Sequence, residues 1–121
     1  MMINKQNELE GFLVELYTDD LKKKVLLARV NGETLSKIGT KLGVTKEFVR
    51  QVEAKITRKF ALSQSGRNIR DDLIALCISG EVQVPADLEA CFGEQYAEIA
   101  YLLRLYKTSP FYDGNWLDKL I

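Results

Sequence analysis

Residues 34–59, TLSKIGTKLGVTKEFVRQVEAKITRK, constrain the fold more than any other part of the chain. Leu35, Ile38 and Leu42 recur at helical spacing, Gly43 interrupts them, and Val44, Val49 and Val52 resume the apolar pattern. Two short helices that cross need a tiny residue at the crossing, and the turn between them needs a residue free to adopt positive φ. Gly39 stands at the first position and Gly43 at the second. Eight residues meet these requirements together, which predicts a helix-turn-helix rather than an ordinary helical hairpin.

The opposite face of the second helix is polar. Lys46, Glu47, Arg50, Gln51, Ala54, Lys55 and Arg58 recur at helical spacing away from the apolar stripe. The first turns of such a helix enter the major groove. There Lys46 can donate to guanine, Gln51 can read adenine through two hydrogen bonds, and Glu47 can accept from cytosine. Thr45, Arg50, Lys55 and Arg58 are the candidate phosphate contacts, which set position without reading sequence.

The charge distribution agrees with this assignment. The whole chain is formally neutral, with 17 basic and 17 acidic side chains. Residues 1–70 hold 14 basic and 8 acidic side chains, a net +6, whereas residues 71–121 hold 3 and 9, a net −6. Such asymmetry is a mark of a nucleic-acid-binding segment joined to something else.

Around the motif the chain reads as helical. Leu9, Phe12, Leu13, Leu16 and Tyr17 form one apolar face, and Thr18-Asp19-Asp20 offers N-cap chemistry for a helix carrying Leu21, Val25, Leu26 and Val30. Thr34 and Thr45 begin the next two helices, the second running to Phe60. The stretch TLSKIGTKLGVTKEFVRQVEAKITRKF resembles region 4, the minus-35-reading domain of bacterial primary sigma factors, over roughly residues 9–62. The resemblance implies promoter reading by Lys46, Glu47 and Gln51, backbone contacts by Arg50 and Lys55, and a possible contact with RNA polymerase. Phe48 stands where that family has a basic residue, and is expected to pack against the neighbouring half. No segment resembles the sigma domains that open the minus-10 element, so the chain is not expected to be a complete sigma factor.

The second half reads differently. Residues 63–68, SQSGRN, are polar and aperiodic and are expected to be a linker between a 1–62 domain and a 69–121 domain. Beyond it the pattern predicts a helix over 69–79, a strand over 81–84, a short helix over 86–92, a helix over 94–107 and a hairpin around Asp113-Gly114. The expected fold class is therefore mainly α: a sigma-region-4-like helix-turn-helix followed by a small, acidic, winged-helix-like α+β domain. The acidic helix over 94–107 would be repelled by phosphates, so this half is expected to serve partners or a homodimer, or to restrain the basic face.

Other classes find little support in the composition. The chain has no histidine, and Cys77 and Cys91 are too few for a structural zinc site. They are expected to be buried free thiols of a reducing, cytoplasmic protein. The carboxylate pairs Asp71/Asp72 and Glu94/Glu98 lack the surroundings of a substrate pocket. No enzyme, metal or cofactor is expected. No apolar run approaches the roughly 18–20 residues that span a bilayer, and the opening MMINKQNELEGF lacks the pattern of a signal peptide. Double-stranded DNA is the expected partner, in transcriptional regulation or as a targeting module. An adaptor that binds RNA polymerase or another protein is the alternative.

Overall fold

The structure, a computed structural model, describes residues 5–121; the first four residues of the expected 1–62 unit lie outside them. Helix α1 (Gln6–Leu16) buries Leu9, Phe12, Leu13 and Leu16 along one face. The chain then turns, and Asp19 caps α2 (Asp20–Val30) by accepting from the backbone N–H groups of Leu21 at 3.0 Å and Lys22 at 3.2 Å. Thr34 does the same for α3 (Leu35–Leu42), through Lys37 N–H at 3.1 Å, and Thr45 for α4 (Lys46–Leu62), through Phe48 N–H at 3.0 Å. Each cap satisfies donors that the first helical turn would otherwise leave unpaired.

The second half departs from its expected organisation. The polar stretch 63–68, expected to be an aperiodic linker, forms the corner and first turn of α5 (Gln64–Ser79). Ser63 closes α4 and caps α5 at once, accepting from Gly66 N–H at 3.1 Å. Gly66 is buried against Phe60, so the aperiodic polar residues mark a tight helix–helix corner.

Among the described residues there is no strand, so the winged α+β part is corrected to an all-helical arrangement. Over 81–84 the amides that a ladder would need are already used. Gln83 N–H and Val84 N–H donate to the Asp87 carboxylate at 2.8 and 3.1 Å, which caps α6 (Pro85–Phe92). Residues 111–117 form successive turns, held by Tyr112 N–H to Ser109 O and Asp118 N–H to Asn115 O, with no cross-strand pairing. Their aromatic rings pack inward on Tyr106 instead of lining up across a hairpin.

A 3-10 turn over Gly93–Gln95 leads into α7 (Tyr96–Lys107), which buries Ile99, Ala100, Tyr101, Leu102, Leu103 and Tyr106. This helix packs against α2 and α4 as well as α6. Most of the apolar surplus of the acidic half is therefore buried within the chain, while Ile78 and Val84 stay exposed. One core cluster holds Phe12 and Leu16 of α1, Ile56 and Phe60 of α4, Leu73 of α5, and Leu102 and Tyr106 of α7. Edge-to-face aromatic contacts link Phe12 to Phe60 at 5.5 Å, and Phe60 to Tyr106 at 5.9 Å.

Candidate nucleic-acid interface

Helices α3 and α4 meet at Gly39. A Cβ there would lie 2.8 Å from Val44 O, so only glycine lets the turn backbone approach this closely. Gly43 closes α3 with φ of 71°, a conformation that costs glycine little and other residues more. Both glycines thus hold the places that the spacing predicts. The result is a fixed pair of helices whose second member presents its first turns outward.

All seven predicted contact residues (Thr45, Lys46, Glu47, Arg50, Gln51, Lys55 and Arg58) are exposed. They lie on α4 and its cap, while Val49, Val52, Ile56 and Phe60 face the core. Thr45 accepts from Phe48 N–H, which leaves its own hydroxyl hydrogen to donate. Glu47 and Arg50, one turn apart, form an ion pair. The side chains of Lys46, Gln51, Lys55 and Arg58 have no polar partner among the described residues.

The contrast with other cations is informative. Lys5 is paired with Glu8 and Asp72, Lys24 with Asp20, and Lys41 with Glu33. Arg70 donates to Ala61 O and to Tyr106 Oη, and its guanidinium lies 5.0 Å from the Tyr106 ring centroid. Among the described basic side chains of residues 1–70, Lys46, Lys55 and Arg58 on the outward face of α4 have no side-chain partner, and Lys37 on α3 and Arg67 on α5 have none either. Phe48 differs from expectation: it is 39% exposed rather than packed against the second half.

The sequence reading missed Glu53. It falls on the inward stripe between Val49 and Ile56 and is only 6% exposed. Its carboxylate accepts from Arg29 Nε at 3.0 Å and from Tyr101 Oη at 2.6 Å, joining α2, α4 and α7. Arg29 also donates to Glu33 O at 2.9 Å. A charge on an apolar stripe was the available signal, since a buried carboxylate needs a cation and hydrogen-bond donors. Burial, and then the bond to Glu53, push the Tyr101 phenol well above its ordinary pKa.

Among the described residues no group of three or more His, Cys, Asp or Glu side chains could hold a metal. Cys77 and Cys91 are free thiols, and burial raises the pKa of each. Among the described residues no helix is long and apolar enough to cross a membrane. No protein-family model matches the chain, and no match is found among curated proteins or solved structures.

Proposed function

We propose that this chain is a cytoplasmic, sequence-specific double-stranded-DNA-binding protein of the sigma-region-4-like type, acting in transcriptional regulation or DNA targeting. The observation that carries the reading is the set of uncommitted side chains, Lys46, Gln51, Lys55 and Arg58, on the outward face of α4. The first turns of α4 enter the major groove, with Lys46, Glu47 and Gln51 at base edges. Thr45, Arg50, Lys55 and Arg58 meet the flanking phosphates. Glu47 gives up its pairing with Arg50 on binding, which frees one group for a base and the other for the backbone.

Selection of bound duplexes from a random pool tests this reading. A recovered consensus, bound with an affinity that falls steeply with salt through counterion release, supports it. Failure to enrich any sequence, together with salt-independent or absent binding, removes it. The exposed Phe48 ring favours one alternative, an adaptor that contacts RNA polymerase or another protein. In DNA recognition the same ring would meet a thymine methyl group. Phe48→Ala separates the two: it lowers polymerase binding in the adaptor reading and duplex binding in the other.

A further inference from the structure

Between α4 and the segment that ends α7 lies an open groove of about 490 Å³. The α4 wall carries Arg50, Ala54, Lys55 and Arg58, with Glu53 and Thr57 also in the lining and the Glu53 carboxylate held by Arg29 and Tyr101; the other carries Leu105 and Phe111, together with Thr108, Ser109 and Pro110. The two walls differ in chemistry. Thr108 donates its hydroxyl to Leu105 O at 3.2 Å, and Ser109 donates to Tyr106 O at 2.6 Å. Thr57, which also lines the groove from α4, donates to Glu53 O at 2.9 Å. These hydroxyl hydrogens are spent within the chain, so the second wall offers mainly carbon. Lys55 and Arg58 on the first wall have no polar partner among the described residues.

We infer that this groove binds a small molecule with an apolar body and one anionic group, the body against Leu105 and Phe111 and the anion at Lys55 and Arg58. Charge complementarity supplies the anion, since unpaired cations beside low-dielectric carbon attract it more strongly than they would in open water. The volume supplies the size: small-ligand clefts run from roughly 300 to 1,000 Å³. Arg50 to Arg58 span only about 12 Å of helix, short for a docked peptide helix. A phosphate strand fits less well, because the carbon wall gives it no donors. The consequence for regulation rests on the proposed DNA reading: the ligand occupies Lys55 and Arg58, so ligand and duplex exclude one another.

The test uses the full chain and two probes of similar aromatic shape, 8-anilinonaphthalene-1-sulfonate and the uncharged N-phenyl-1-naphthylamine. The expected result is one saturable site for the sulfonate, with weaker binding of the uncharged probe. Arg58→Glu weakens the sulfonate by about tenfold or more, as loss of a charge-assisted hydrogen bond requires. Ala54→Trp fills the groove at an exposed helical position and abolishes binding while the circular dichroism of the chain is retained. Probe binding that survives both variants, or that is lost in Ile78→Ser on the exposed face of α5, overturns the inference. Should the protein bind the sulfonate in this pattern but no duplex, the groove stands and the DNA reading falls. Should duplex binding persist with no specific probe site, the reverse holds.

Discussion

At the scale of single residues, the glycines of the helix-turn-helix were legible because close approach and positive φ admit few alternatives. Gly39→Ala puts a methyl group 2.8 Å from Val44 O, and backbone must shift to accept it. The usual helical gain of about 1 kcal/mol for Gly→Ala is therefore reversed. A net loss of roughly 1–3 kcal/mol in urea unfolding is expected; unchanged or increased stability would show that the crossing has slack. On the outward face the same helix separates reading from positioning. Gln51→Ala is expected to relax preference at one base pair by roughly 1–3 kcal/mol. Lys55→Glu is expected to weaken all duplexes alike and to flatten the salt dependence. Equal loss at every base position for Gln51→Ala would remove it from the base-reading set. Glu53 was not legible as a partner of Tyr101, because nothing in the local pattern reveals which distant groups will face a buried carboxylate.

At the scale of elements, the helices of the first half could be read from their caps and apolar stripes, whereas the connections of the second half could not. Ser63 to Asn68 looks like a linker because its residues are polar and small. Those same residues are what a sharp corner needs: a capping hydroxyl and a glycine against Phe60. The alternating Glu81–Val84 stretch looks like a strand, but Asp87 takes two of its amides and, among the described residues, no second strand competes for them. Strand formation depends on a partner, and a short alternating pattern carries no information about one. The corner makes its own prediction. A methyl group added at Gly66 overlaps the Phe60 carbonyl, so Gly66→Ala is expected to destabilise by roughly 1–3 kcal/mol. Arg67→Ala, one residue later, exposed and without a side-chain partner among the described residues, is expected to change stability by less than about 0.5 kcal/mol. If urea midpoints put the two variants level, the α4–α5 corner is looser than its geometry implies.

At the scale of the whole molecule, opposite net charges in the two halves do not imply separate bodies, because charge patterning reports the surface and the core is shared. Phe12, Phe60, Leu73 and Tyr106 belong to one cluster although they come from both halves. Calorimetry is therefore expected to show one cooperative transition, with equal calorimetric and van't Hoff enthalpies. Residues 1–68 alone would leave Ile56 and Phe60 without their partners on α5 and α7, and are expected not to give a cooperative transition. Two resolved transitions, or a stable 1–68 fragment, would overturn this. The Arg29–Glu53–Tyr101 link also ties α7 to the recognition helix and carries a pH signature. Burial and the Glu53 carboxylate hold the Tyr101 phenol protonated in the folded state, above the pH at which an unfolded tyrosine ionises, about 10. Below that pH both states bind the proton, and this group adds no pH dependence. Above it the unfolded state loses the proton first and is favoured, so stability falls as pH rises. Burial also raises the Tyr17 and Tyr112 pKa values, so part of the alkaline loss belongs to them. Tyr101→Phe is expected to cost about 1–2 kcal/mol at neutral pH, through the lost bond to Glu53. The same variant should make the decline above pH of about 10 shallower than in the parent protein. Parallel stability curves for the two proteins across that range would place Tyr101 outside the group that controls alkaline unfolding.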